Sequence, residues 1–137
     1  MSVALRYLLD TNIVSDLARH PRGLVASRIA EVGEASVCTS IVVAAELRYG
    51  VQKSESKKLA ERIDLLLSAL EVLPVEPPAD RRYGEIRHYL TQQGTLIGPN
   101  DLLIAAHALA LELTIVTANL REFERVPGLK IKNWLSE

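Results

Sequence analysis

The chain opens on a nearly unbroken apolar run, Val3 to Leu9 with only Arg6 intervening. Such a run predicts a strand covered on both faces, as in a parallel sheet. Asp10 follows at once. Ile13 to Arg19 then reads as a short helix that Thr11 or Asn12 can cap and His20-Pro21 ends. A second helix is expected from Leu24 to about Val32, closed by Gly33. Ala35 to Thr39 gives a second strand, and Ser40 is placed to cap a helix from Ile41 to about Gln52. From Lys53 to Leu70 the apolar residues Leu59, Ile63, Leu66, Leu67 and Leu70 recur at helical spacing among charges, which predicts an amphipathic helix with a solvated face.

Glu71 to Val75 is the expected third strand. Pro77-Pro78 opens a helix that ends near Gln93-Gly94, and a loop through Thr95 and Gly98 follows. Pro99 starts the next helix, Asn100 to Leu111, so densely apolar that it must be largely buried. Thr114 to Thr117 is a fourth strand and Ile131 to Asn133 a short fifth. Strands alternating with helices predict an α/β fold, a mostly parallel central sheet of four to five strands with helices on both faces. Neither repeats nor a linker interrupts the pattern, so residues 1–137 are expected to form one domain. Ligands in such folds bind beyond the carboxyl ends of the strands, where the chemistry is therefore expected.

Composition narrows the setting. A chain of 137 residues, 48% of them apolar, can bury roughly 68% of its unfolded surface and folds without disulfides or structural metal. The lone Cys38 has no partner in the chain, which suits a reduced cytoplasmic protein. No basic segment leading into a signal-length apolar run is seen, and no window approaches the ~20 apolar residues of a membrane span. The net charge of −1 gives no overall attraction to nucleic acid, so any such contact must be local.

Four places carry acids that the pattern does not explain. Asp10 stands where the first strand ends, although an Asp there also suits a strand-to-helix turn. Glu46 has Val42, Val43, Tyr49 and Gly50 as its helical neighbours, none of them a charge partner. Asp101 sits among Ile97, Gly98, Ile104 and Ala105, yet an acid in a first helical turn is also favoured by the helix dipole. Thr117, Asn119 and Glu122 gather where the fourth strand ends. The set outweighs its members, because all converge on the carboxyl edge of the expected sheet. Two carboxylates ~5 Å apart repel by about 3 kcal/mol at an effective dielectric near 20, so the cluster requires protons or cations. Oxygen ligands without a Cys or His cluster indicate Mg²⁺ or Mn²⁺ rather than zinc. His20, His88 and His107 are dispersed, and none is read as a ligand.

At these residues the sequence resembles the PIN-domain ribonucleases, specifically VapC toxins of VapBC toxin–antitoxin pairs. The resemblance rests on Leu8-Leu9-Asp10-Thr11-Asn12, on Ser40 with Glu46-Leu47-Arg48-Tyr49-Gly50, on Gly98-Pro99-Asn100-Asp101 running through Leu102 to Ala108, and on Val116-Thr117, Asn119, Glu122, Phe123 and Trp134. These blocks stand in family order and span nearly the whole chain. The resemblance implies a PIN-like three-layer sandwich and an acidic core of Asp10, Glu46 and Asp101 serving a Mg²⁺- or Mn²⁺-dependent endoribonuclease. Many members carry Asp where this chain has Asn119, so either Asn119 or the nearest carboxylate, Glu122, completes the site. Structured RNA such as transfer RNA, a homodimer and a cognate VapB-like antitoxin are implied with it. Thr11, Asn12, Ser40 and Thr117 are candidates to orient the acids by hydrogen bonds. Arg19, Arg22, Arg48, Lys53, Lys57, Arg81, Arg82 and Arg87 are candidates for RNA contact, each against the plainer reading of a solvated charge.

Two other classes are set beside this one. A phosphoacceptor receiver domain needs an Asp at the end of the third strand, where the chain offers only Glu76. A catalytically inactive PIN-like module would use the acids as turn caps and dock a protein partner through the Lys53 to Leu70 helix.

Overall fold

The computed structural model describes residues 4–136, so Val3, the expected start of the first strand, lies outside it. The order is β1 (Tyr7–Leu9), α1 (Thr11–Arg19), α2 (Leu24–Val32), β2 (Val37–Ser40), α3 (Ile41–Ser54), α4 (Lys57–Ala69), β3 (Glu71–Leu73), α5 (Ala79–Gln93), α6 (Pro99–Ala110), β4 (Thr114–Val116), α7 (Leu120–Phe123) and β5 (Ile131–Lys132). All neighbours in the sheet, ordered β3-β2-β1-β4-β5, run parallel. β1 is central, in register with Val37, Cys38 and Thr39 on one side and with Thr114, Ile115 and Val116 on the other. Its Leu8 and Leu9 are wholly buried, as the unbroken apolar run requires.

The chain steps from β1 outward to β3 and then returns to β4 on the other side of β1. Right-handed crossovers consequently place α1 to α4 on one face and α5 and α6 on the other. α1 packs on α2, α3 and α4, and α5 packs on α6. The buried apolar residues form one continuous cluster through the sheet, with Phe123 and Trp134 at its far side. The reversal of strand order falls between β1 and β4, which opens a crevice beyond their carboxyl ends.

Several boundaries differ from the sequence reading. The boundary expected between Gln52 and Lys53 falls later: α3 runs on to Ser54, Glu55 turns left-handed at φ 56°, and Ser56 accepts from the Leu59 amide to cap α4, which starts at Lys57. The second strand starts at Val37 because the Ser36 hydroxyl donates back to the Val32 and Gly33 carbonyls, holding Glu34–Ser36 in a tight 3₁₀ turn. β3 stops at Leu73, where Pro74 has no N–H to extend the ladder. Asp10, rather than Thr11 or Asn12, occupies the cap position of α1.

Candidate active site

Asp10 leaves β1 into the crevice and is only 3% exposed. Although it stands at the cap position of α1, its side chain caps nothing. Its Oδ2 instead accepts from the Thr117 hydroxyl at 2.8 Å, at the end of β4. Its carboxylate thus ties the end of β1 to β4, besides meeting the Thr11 backbone amide at the turn. Burial holds its pKa above the usual carboxylate value, against the Thr117 bond that lowers it and with Glu46 and Glu122 nearby adding to the rise.

Glu46 projects from the second turn of α3, half-buried. Thr11 donates to its Oε1 at 2.6 Å and the Asn100 amide approaches Oε2 at 3.4 Å, so α1, α3 and α6 meet on one carboxylate. Asp101, in the first turn of α6 after Pro99, receives the Asn119 amide at 3.3 Å. Burial first, then Glu122, Asp10 and Glu46, push its pKa to about 8, which favours its protonated form near neutral pH. Glu122 is pulled down by that same bond and by Asn119.

Asp10, Thr11, Asn12, Ser15, Asp16, Arg19, Glu46, Asp101, Asn119 and Leu135 line the crevice, about 500 Å³. Of the two candidates to complete the acid set, Asn119 lines it and Glu122 reaches it through Asp101. No Lys or Arg among the described residues forms an ion pair with any of these acids. Nor, among the described residues, do three acidic, imidazole or thiol groups stand close enough to enclose an ion.

The four hydrogen-bonding candidates divide. Thr11 and Thr117 touch acids directly. The Asn12 side chain accepts from the Ala118 amide at 3.1 Å, tying the loop after β4 to α1. Ser40 touches no acid; its Oγ accepts from the Val42 amide to cap α3 and lies 2.8 Å from Nδ1 of His107. His107 is 1% exposed and far from a ligand role; burial lowers its pKa, so it packs as a neutral ring.

The basic candidates scatter. Arg19 lines the acid crevice. Arg48 pairs with Asp64, and Arg87 donates to the Tyr83 hydroxyl at 3.0 Å. Arg82 approaches Glu85 at 3.9 Å and borders another cleft with Gly128 and Lys130, at the amino edge of the sheet. Arg22, Lys53, Lys57 and Arg81 are exposed. Sequence reasoning missed Ser15, Asp16, Asn100 and Leu135. The first two were findable, since Asn12, Ser15, Asp16 and Arg19 form a polar stripe at helical spacing on an otherwise apolar α1. No sequence signal marks Leu135, which arrives from the far end of the chain.

A parallel α/β sheet with acids converging where its strand order reverses defines a class of site, and three comparisons place the chain within a family. A PIN-domain family profile matches residues 7–129. The Ribonuclease VapC2 of Rickettsia felis is 42% identical over 130 residues, 93% of this chain and 97% of the relative. The tRNA(fMet)-specific endonuclease VapC of Salmonella typhimurium is 37% identical over 132 residues, covering 95% and 98%. The crystal structure of VapBC2 from Rickettsia felis bound to a DNA fragment from their promoter contains a chain that superposes with a TM-score of 0.87 at 38% identity, over 95% of this chain and 99% of that one. The chain belongs to the PIN-domain family, in its VapC branch.

Proposed function

We propose that the protein is the toxin of a toxin–antitoxin pair, an endoribonuclease that hydrolyses phosphodiester bonds in RNA with the help of Mg²⁺ or Mn²⁺. One observation carries the reading: Asp10, Glu46, Asp101 and Asn119, from four separate elements, face one crevice at the β1–β4 reversal with no ion-paired cation among the described residues. Turn caps would not converge in this way, and Asp10 caps nothing.

The donor set fits a hard divalent ion, since every candidate ligand is an oxygen. Asp10, Glu46 and Asp101 would hold it, and the proton that Asp101 retains marks where positive charge is wanted. When bound, such an ion makes water a better nucleophile near neutral pH and offsets charge on the reacting phosphate. The chain supplies the rest. Thr117 and Thr11 fix the rotamers of Asp10 and Glu46, so that these carboxylates need little reorganisation. Asn119 donates to Asp101 and orients it, while burial and the neighbouring Glu122 raise its pKa.

Names borne by relatives support transfer RNA as the substrate class, and the solved relatives that are VapBC complexes support a VapB-like antitoxin as partner. Homodimerisation accompanies that assignment as part of the same proposal. Among the described residues no helix is long and apolar enough to cross a membrane. The test is direct. Purified protein, freed of metal by chelation, should leave a tRNA(fMet) transcript and bulk RNA intact, and should cut one of them when Mg²⁺ or Mn²⁺ is restored. Cleavage that persists in chelator contradicts the metal requirement; no cleavage in any condition contradicts the nuclease.

A further inference from the structure

We infer that α1 carries a subsite for a backbone phosphate of the RNA next to the cleaved one, with Arg19 as its cation; this rests on the nuclease reading above. Of the eight basic candidates, Arg19 alone lines the crevice that holds the acids. It does so as the last member of the stripe Asn12, Ser15, Asp16 and Arg19, which recurs every three to four residues along one side of the helix. Asn12 lies beside the acids and Arg19 seven residues further, about 10 Å along the axis at 1.5 Å per residue. A strand whose scissile phosphate rests at the acids and whose backbone continues along α1 meets Arg19 at a neighbouring phosphate, not at the reacting one.

Charge along the stripe supports the same placement. The carboxylate of Asp16 repels phosphate from the middle of the helix, leaving the Arg19 end as the anion-binding position. Arg19 is exposed and pairs with no carboxylate among the described residues, Asp16 included, so its guanidinium is available. A cation in the last turn also interacts favourably with the helix dipole. That structural role predicts a loss of stability and nothing else, which gives the test its discriminating readout.

The experiment measures single-turnover cleavage of a tRNA(fMet) transcript, with bulk transfer RNA in parallel, over a series of KCl concentrations at fixed Mg²⁺. The protein concentration giving the half-maximal rate is read at each salt level. Arg19→Ala should raise that concentration roughly ten-fold or more, as expected for a lost charge-assisted hydrogen bond. It should also flatten the salt dependence by about 0.7 in log–log slope, the contribution of one phosphate contact on single-stranded nucleic acid. Arg19→Lys should keep the slope while weakening binding, and Lys130→Ala, at the opposite edge of the sheet, should change neither. An active Arg19→Ala with the wild-type slope overturns the subsite and leaves the nuclease standing. A wild-type protein that cuts neither RNA overturns both.

Discussion

The hydroxyl of Thr117 donates to Oδ2 of Asp10 at 2.8 Å across 107 positions of sequence, with both residues buried. This bond joins the carboxyl ends of β1 and β4 at the point where strand order reverses. It keeps an otherwise desolvated carboxylate in one rotamer facing the crevice. Thr117→Val preserves shape and removes the donor, so RNA cleavage should fall by roughly 10–100-fold, as for other lost partners of metal-binding groups. Thr117→Ser should retain most activity. Parallel rate measurements on the three proteins check this, and equal rates in the Val variant would show that the bond does not organise the site.

Asn119 reaches both the crevice and Asp101, where it donates at 3.3 Å. Asn119→Asp exchanges a donor for a further carboxylate. Without divalent ions that variant should melt below wild type, because a fourth negative charge joins an already crowded group. With Mn²⁺ its melting temperature should rise by more than wild type's does. A rise equal to wild type's would place Asn119 outside the ion-binding group.

Protonation of Asp101 makes the metal-free fold lose stability as pH rises toward about 8. Its folded pKa, about 8, lies above the ordinary value of 3.8, so the folded chain binds a proton that the unfolded chain releases. The stabilising contribution is therefore complete at low pH and is lost as pH rises through about 8. Burial raises Asp10 in the same direction, whereas His107, lowered by burial, acts with opposite sign as pH falls below its ordinary 6.5. Urea unfolding between pH 6.5 and 8.5 separates these effects. In chelator, wild-type stability should decline with rising pH and Asp101→Asn should decline less. Saturating Mn²⁺ should oppose the decline, since ion binding favours deprotonated ligands. Identical slopes for the two proteins in chelator would remove Asp101 from this role.

Ser40 secures the helix that carries Glu46. Its Oγ caps α3 through the Val42 amide and meets Nδ1 of His107, both groups buried. Ser40→Ala removes the cap and leaves a buried ring nitrogen without its partner, so the cost should be about 1–3 kcal/mol of unfolding free energy. Ser56→Ala, at the more exposed start of α4, loses a cap alone and should cost about 1 kcal/mol. Denaturant unfolding compares them, and a smaller loss at Ser40 than at Ser56 would refute the double role.

The sheet and its acids were legible because both leave local marks. Apolar runs at residues 7–9 and 115–116 announce buried strands, and Asp10, Glu46 and Asp101 interrupt apolar surroundings without charge partners nearby. A break between two helices was legible near Gln52, but its place at Glu55 was not, since Lys53 to Lys58 are polar residues that suit a helix surface, and Ser56 resembles an interior position until the left-handed turn before it is seen. The basic residues posed a different difficulty. Whether Arg19 or Arg82 faces the acids depends on which edge of the sheet each helix end reaches, a matter of crossover geometry and not of spacing. Leu135 reaches the crevice only because the chain returns through β5 and Trp134 packs on Tyr7, ring centroids 5.1 Å apart.

Calorimetric titration with Mn²⁺, on chelator-treated wild type, Asp10→Asn and Asp101→Asn at pH 7.5, reads ion binding at the acids themselves. The acids at the β1–β4 reversal predict saturable binding to the wild type that either substitution weakens at least ten-fold while the fold persists. Absence of binding to the wild type, or equal affinity in all three proteins, would contradict that prediction.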